Sequence, residues 1–195
     1  MNGKDDLVSV LISPPIFTLA LLLVLYLLAP DSMLGGGFFP VGLVAILALV
    51  LLPVAPVLVG FYMGKNDLNV SDIETRRIML LYSTVSYFAS AGLFYAFGNK
   101  VLVCISAVYG LVTLAVLLLS FFYKVSVHVA GAVSTVTMLV MLTLNKLFLP
   151  LYFVTALVGW QRLRTRAHTM LEVALGGLAS VLTTAVSLTL LLSFL

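Results

Sequence analysis

Long apolar runs constrain this chain more than any other feature of its sequence. Residues 7–30, 38–63 and 101–123 contain no charged side chain. A bilayer core of about 30 Å needs roughly 20 helical residues to cross it. The runs lack the two-residue alternation that is typical of membrane barrel strands. They therefore predict helices that span a membrane.

Composition excludes several classes of protein. Hydrophobic residues make up 63% of the chain and charged residues 9%, with a mean hydropathy of +1.24. Soluble domains are about 45–50% apolar and about 25% charged. The chain therefore lacks the polar surface of a cytosolic enzyme, and its ten Lys and Arg residues provide no face for nucleic acid. Cys104 is the only cysteine, which excludes an intrachain disulfide and a cysteine metal cluster.

These observations predict an all-α, polytopic transmembrane helical bundle that forms one domain over residues 1–195. Charges and turn residues, including the glycine run 35–37, divide the chain into candidate spans. We expect six to seven spans and favour seven. Prolines in this chain are expected to mark kinks or helix starts. The seven segments are 7–30, 38–63, 78–98, 101–123, 125–145, 147–161 and 169–195.

The basic residues are unevenly distributed over the predicted topology. Seven spans place only Lys100 and Lys146 on one side of the membrane. The positive-inside rule then predicts a cell-membrane protein whose other, cation-rich side faces the cytoplasm. The cations on that side are Lys4, Lys65, Arg76, Arg77, Lys124, Arg162, Arg164 and Arg166.

The polar segment 162–172 contains a candidate reactive group. His168 and Glu172 are four positions apart and share a helix face. A carboxylate there can accept one imidazole N–H, which leaves the other ring nitrogen free as a nucleophile or base. Arg162 precedes them and offers a planar fork that matches phosphate oxygens. Pairing of Glu172 with Arg164 or Arg166 is an alternative.

A second polar segment adds a helix start on the same side. Ser126 is a candidate N-cap, and the free N–H groups beyond it favour an anion. His128 can donate a proton to a leaving oxygen. Each feature alone also fits an anchor at the membrane surface. Together, two histidines, several arginines and helix N-termini on one face indicate phosphoryl transfer.

The motifs resemble those of the type-2 phosphatidic acid phosphatase superfamily, the membrane lipid phosphate phosphatases related to vanadium haloperoxidases. The third family motif is matched by Arg162-x5-His168-x3-Glu172, with Glu for Asp, and the second by Ser126-Val127-His128, without its Pro and Gly. In the first motif Arg76 is the arginine, and Asn69 stands where the family has lysine. The resemblance covers about residues 64–180 and is greatest to a compact microbial branch.

The resemblance implies a mechanism without metal or cofactor. His168 attacks phosphorus and forms a phosphohistidine, Glu172 orients it, and His128 protonates the leaving lipid oxygen. The implied phosphate-binding residues are Arg162, Arg76 and Ser126, with the lysine role open between Lys124 and Lys65. The partners implied are the bilayer and a lipid phosphate that enters sideways from it. The oligomeric state stays open.

The sequence leaves three alternatives open. The chain could be a catalytically degenerate member that binds a lipid phosphate without hydrolysing it. Asp67-x4-Asp72 faintly resembles the aspartate-rich motif of intramembrane prenyltransferases, which bind magnesium diphosphate. A lipid-binding subunit, scaffold or small transporter is the non-enzymatic alternative. Among substrates, the sequence does not choose between phosphatidic acid, phosphatidylglycerol phosphate, prenyl diphosphate and polyprenyl diphosphate.

Overall fold

A computed structural model describes residues 8–28 and 38–194 of the chain, without the side chains of residues 38–40. It is 83% helical, and no strand occurs in the part that it describes. The all-α prediction is therefore confirmed. The glycine run 35–37 and the charged residues Lys4, Asp5, Asp6 and Asp31 lie outside the described residues.

The helices follow the predicted apolar segments closely. A π-helical turn, Leu47–Leu51, joins α2 to α3, and a 3₁₀ helix, Lys146–Leu151, leads into α7. The α-helices are α1 (Pro14–Leu28), α2 (Phe38–Ile46), α3 (Leu52–Tyr62), α4 (Ile73–Ala96), α5 (Lys100–Leu119), α6 (Val127–Thr143), α7 (Tyr152–Arg164) and α8 (Met170–Phe194).

Five of the described helical segments are long and apolar enough to cross a membrane. This number is lower than the predicted six to seven, because α6 has 17 residues and α7 has 13. The long apolar helices are compatible with a membrane protein. The five segments are Val8–Leu28, Val41–Tyr62, Ile73–Ala96, Lys100–Leu119 and Met170–Phe194.

Two prolines act at helix starts, as predicted. Pro14 is the first residue of α1, and Pro53 lies in the first turn of α3. Proline has no N–H to continue the ladder of helical hydrogen bonds. The chain adjusts through the π turn, in which the Leu52 N–H donates to the Leu47 carbonyl. The segment Val41–Tyr62 therefore continues as one candidate span despite Pro53 and Pro56.

The bundle is held together by apolar packing and by hydroxyl bonds between helices. Helices α4 and α5 pack along each other, α8 packs on α5 and α6, and α1 and α7 flank α6. Ser180 Oγ donates to the Ala130 carbonyl at 2.6 Å, and the Ser134 and Thr184 hydroxyls are 2.9 Å apart. In a membrane such bonds contribute about 1 kcal/mol each. They fix α8 against α6.

Gly176 brings the start of α6 close to α8. A Cβ atom at this position would lie 2.8 Å from the Ser126 carbonyl oxygen. Only glycine allows that approach without a shift of the backbone. The contact aligns the N-terminal ends of α6 and α8. His128 lies in the first turn of α6, and His168 lies in the loop just before α8.

Candidate active site

The distant polar segments of the sequence meet at one end of the bundle. Arg76 Nη2, near the start of α4, donates to the Val125 carbonyl at 2.6 Å. His168 Nδ1 lies 2.8 Å from the Lys124 carbonyl, and the Ser126 N–H donates to the Glu172 carbonyl at 3.2 Å. The main chain just before α6 is therefore contacted from both α4 and the start of α8.

His168 is buried in the loop before α8, and its contacts define its tautomer. Because the Lys124 carbonyl oxygen can only accept, Nδ1 carries the proton and the neutral ring has a free lone pair on Nε2. Burial, with Arg76 and Arg162 nearby, lowers the pKa of His168 to about 4, against the opposing effect of the Lys124 carbonyl and Glu172. At neutral pH the ring is uncharged and Nε2 is a potential nucleophile.

Glu172 has two roles at the start of α8. Its Oε2 accepts from the Thr169 N–H at 2.9 Å, and its own N–H donates to Thr169 Oγ1 at 3.3 Å, which forms a capping box. The same Oε2 lies 3.4 Å from His168 Nδ1. The main-chain carbonyl of Lys124 is thus the closer partner of the ring. The described contacts of Glu172 include neither Arg164 nor Arg166.

The two predicted arginines are buried, with exposed fractions of 6% for Arg76 and 2% for Arg162. Neither has a carboxylate within 4.0 Å among the described residues, and the Nε of each has no hydrogen-bond partner there. The two guanidinium groups also lie within electrostatic range of each other. Glu172 and Asp67 also act on Arg76, but from beyond ion-pair distance. Buried charges without a counterion in contact are costly. An anion bound between them would offset that cost.

Ser126 contributes a further donor that lacks a partner. It occupies the N-cap position of α6, as predicted, but its hydroxyl makes no capping bond. The side chain is fully buried, and Oγ has no hydrogen-bond partner among the described residues. Three of the predicted phosphate-binding residues match the family motifs. Each of them has a buried polar atom without a hydrogen-bond partner among the described residues: Arg76, Arg162 and Ser126.

His128 lies in the first turn of α6, two residues after Ser126. Its ring is partly buried, faces the main chain of Ser9, and lies within electrostatic range of His168 and of both arginines. The structure therefore brings the two histidines, 40 positions apart, into one site.

The two candidate lysines are not drawn into the cluster by any side-chain contact. Lys65 is exposed in the turn after α3, and Lys124 is partly buried beside the site. Neither ammonium has a hydrogen bond or ion pair in the part of the chain that the structure describes. Lys124 contributes its carbonyl to His168 instead.

Two residues that the sequence did not suggest hold Arg162 in place. Its Nη1 donates to Ser9 Oγ at 2.6 Å and to Asn69 Oδ1 at 3.1 Å, and the Ser9 hydroxyl donates to Asn69 Oδ1 at 2.6 Å. The only signal for Asn69 was its position where the family has lysine. Ser9 gave none, because it lies within an apolar run.

The loop that presents Asn69 is tightly built. The Asp67 carboxylate accepts from the main-chain N–H groups of Asn69 and Ser71, at 2.8 and 3.2 Å. Val70 takes a left-handed conformation with φ of 48°, which costs of order 1–3 kcal/mol for a residue other than glycine. Asp72 caps α4 by accepting from the Thr75 N–H at 2.8 Å, and these bonds lower the pKa of the Asp72 carboxyl. Both carboxylates of the aspartate-rich alternative, on Asp67 and Asp72, therefore bind main-chain N–H groups of their own segment.

A cavity of about 410 Å³ extends from the cluster into the bundle. Ser9, Asn69, Arg76 and His128 line its polar end. Its other walls are mainly apolar and come from α1, the π turn, α3, α4, α5 and α6. The site therefore combines a cationic end with an apolar chamber.

Chemically, the cluster offers a neutral imidazole, a second imidazole, two guanidinium groups and a hydroxyl at a helix N-terminus. Such groups bind tetrahedral oxyanions and stabilise the charge that develops on them during group transfer. Among the described residues, no three His, Cys, Asp or Glu side chains are placed to share a metal ion. No protein-family model, curated protein or solved structure matches the chain.

Proposed function

We propose that the protein is a membrane phosphatase that removes phosphate from a lipid phosphate or diphosphate through a phosphohistidine intermediate. The observation that carries this proposal is the convergence of three buried, unpartnered donors, on Arg76, Arg162 and Ser126, beside the neutral ring of His168. A phosphoryl group would satisfy those donors and balance the two buried positive charges. The motif resemblance supports the same chemistry.

In the first step, His168 Nε2 attacks phosphorus while the bond from phosphorus to the lipid oxygen breaks. The ring becomes positively charged, and Nδ1–H remains held by the Lys124 carbonyl, with Glu172 nearby to stabilise the charge. Arg76, Arg162 and Ser126 donate to the three equatorial oxygens of the phosphoryl group that is transferred. A bound phosphate dianion favours the protonated form of His128, which then gives its proton to the leaving lipid oxygen.

In the second step, water attacks the phosphohistidine, and His128 accepts its proton. The nitrogen–phosphorus bond breaks, inorganic phosphate leaves, and His168 regains its neutral form. Over the two steps His128 gives one proton to the leaving lipid oxygen and takes one proton from water, so the protons balance. Apart from the substrate and water, the mechanism uses only groups that the chain supplies.

We further propose seven spans in the cell membrane, with the active-site end facing the cytoplasm. The 3₁₀ helix Lys146–Leu151 extends α7, and α6, which runs antiparallel to α5 and α7, has residues on either side to lengthen it. Cations gather at the active-site end, as the positive-inside rule requires. Arg77 at that end donates to the Ser120 carbonyl at 2.8 Å, and Arg164 stacks on Trp160.

Phosphate release by purified protein in lipid nanodiscs tests the activity. We expect release from a lipid phosphate without added metal, and inhibition by vanadate. His168→Asn should lower release by about a thousandfold or more, because it removes the nucleophile. Arg164→Gln, which removes an exposed charge at the end of α7 four residues before His168, is the matched control and should retain activity.

Trapping separates the nucleophile from a merely structural histidine. With a radiolabelled substrate and a denaturing quench, the wild type should retain acid-labile, base-stable label and His168→Asn should not. Full activity in His168→Asn would show that another group attacks phosphorus.

Binding without hydrolysis is the second candidate function. The observation in its favour is Asn69, which stands at the family's lysine position and whose oxygen is already engaged by Ser9 and Arg162. Val127, in place of the family's glycine, also narrows the approach to the helix start. A protein that is stabilised by vanadate yet releases no phosphate from phosphatidic acid, phosphatidylglycerol phosphate or a prenyl diphosphate would be of this kind.

A further inference from the structure

We infer that the cavity beside the cluster is the binding site for a single hydrocarbon chain, so that the preferred ligand is a one-chain lipid phosphate. This inference rests on the proposed phosphatase function only for its catalytic readout, because occupancy of the cavity can be measured by binding alone.

The shape of the cavity fits a chain that starts at the cluster and points into the membrane. On α4 the lining residues Arg76, Leu80, Ser83 and Tyr87 follow one helix face. Arg76 and Tyr87 are eleven positions apart, which corresponds to about 16 Å at 1.5 Å per residue. A bilayer core of about 30 Å has leaflets of about half that thickness, so the cavity is one leaflet deep.

Two stacked tyrosines close the inner end. The Tyr87 and Tyr109 rings both line the cavity, with centroids 5.4 Å apart. Tyr109 is fixed further by a 2.8 Å hydrogen bond between its hydroxyl and that of Thr135. The floor is therefore rigid and limits how far a chain can extend.

The size of the cavity favours one chain over two. Its volume of about 410 Å³ lies near the lower limit of ligand pockets, which run from about 300 to about 1,000 Å³. A two-chain lipid would have to leave one chain outside the protein. A single isoprenoid or alkyl chain can enter with the part next to its phosphate inside these walls.

The chain has a lateral route to the cavity between α1 and α3. These two helices scarcely contact each other, although α1 packs on the intervening π turn. Lining residues on both sides of the gap keep accessible surface, 40% for Ile16 on α1 and 46% for Leu58 on α3. A lipid can thus slide in from the membrane with its phosphate directed to Arg76 and His128.

Substitution of Val112 tests the inference. Val112 is 4% exposed and lines the cavity on α5, whereas Leu118 on the same helix is 56% exposed. In nanodiscs, Val112→Phe should lower kcat/KM for farnesyl phosphate by about tenfold, the effect of excluding roughly two methylene groups from burial. The kcat/KM for butyl phosphate, whose chain does not reach Val112, should not change, and Leu118→Phe should match the wild type with both substrates.

Wild-type kcat/KM should also be higher for farnesyl phosphate than for a two-chain phosphatidic acid. Equal activity of Val112→Phe and wild type on farnesyl phosphate would show that the cavity does not hold the chain. A preference for phosphatidic acid would overturn the one-chain assignment. If Val112→Phe does not fold, Val54→Phe on the opposite wall makes the same test.

A binding arm distinguishes failure of this inference from failure of the proposed function. If the wild type hydrolyses no substrate, the phosphatase proposal fails. The cavity assignment then stands only if farnesyl phosphate, more than butyl phosphate or inorganic phosphate, raises the thermal unfolding midpoint of the wild type and of Leu118→Phe but not of Val112→Phe. Equal stabilisation by farnesyl phosphate in all three proteins would overturn it.

Discussion

The two ends of the bundle differ in the described contacts of their polar side chains. At the end where α4 meets α5 and α6 meets α7, two helix starts have local caps: Asn99 Oδ1 accepts from the Leu102 N–H, and Asn145 Oδ1 accepts from the Leu147 N–H. At the active-site end, Arg162 contacts Ser9 and Asn69, which are 153 and 93 positions away.

The difference separates helix capping from site construction. A local cap satisfies a group that every helix start exposes, and it needs no other part of the chain. Long-range bonds to buried guanidinium groups bring cations together against their mutual repulsion and out of water. We interpret the burial of these guanidinium groups as a sign that they bind a ligand. The two ends therefore make contrasting predictions for equivalent substitutions.

The largest contrast should come from removing one cation at each end. Arg162→Met should lower phosphate release by about a hundredfold or more, because a donor to the transition-state oxygens is lost. Lys146→Met, at an exposed position of the other end, should leave release unchanged. Vanadate should raise the thermal unfolding midpoint of the wild type and of Lys146→Met but not of Arg162→Met.

Without anion, the same Arg162→Met protein should unfold at a temperature no lower than the wild type, since it no longer buries an unpaired charge beside Arg76. A large loss of stability together with retained vanadate binding would mean that Arg162 is structural.

The pH dependence of the free energy of unfolding should come from the candidate-site end, because both histidines of the chain lie there. The folded-state pKa of His168, about 4, lies below the ordinary value of 6.5, so the unfolded chain binds more protons between these values. The free energy of unfolding should therefore have its full value above pH 6.5 and decline as the pH falls towards 4. Denaturant titrations at several pH values should show a weaker decline in His168→Asn. An equal decline would assign the effect to other groups.

The smallest contrast compares two asparagines. Asn69→Ala should lower kcat by about tenfold with little change in KM, because Arg162 loses an oxygen that orients it while the phosphate contacts remain. Asn145→Ala should leave kcat unchanged and lower the free energy of unfolding by about 1 kcal/mol, the typical contribution of an N-cap. Asn69→Asp, which keeps the oxygen, should recover part of the rate. Loss of activity in Asn145→Ala as well would remove the distinction between the two ends.

The helices were predictable because apolar runs have little choice in a bilayer. The predicted segment 101–123 became Lys100–Leu119, and 125–145 became Val127–Thr143. The main boundary error was at α4, which was predicted to begin at residue 78 but begins at Ile73. Arg76 and Arg77 were counted as loop because they are charged. In the structure Asp72 caps the helix ahead of them, and both side chains turn inward to carbonyl oxygens.

The site was only partly predictable. Spacing alone indicated that His168 and Glu172 share a helix face. This prediction was wrong for His168, which lies in the loop before α8, but the loop still brings the two side chains to 3.4 Å. Spacing gave no information about which main-chain carbonyl would fix the ring, because the Lys124 carbonyl comes from another segment. Ser9 was hidden for the same reason: a hydroxyl within an apolar run has no pattern until the fold brings Arg162 to it. Catalytic roles for these residues stay predictions until the variants are measured.

The bond between Arg162 and Ser9 also has a consequence for biogenesis. The ribosome releases Ser9 long before Arg162. Contacts between residues so far apart in sequence form slowly, because the closure of the intervening loop costs conformational entropy. The early helices are inserted while their future partner is still untranslated. The candidate site is thus among the last parts to assemble. A nascent chain that stalls before α7 would contain the apolar helices up to that point but lack Arg162 and His168.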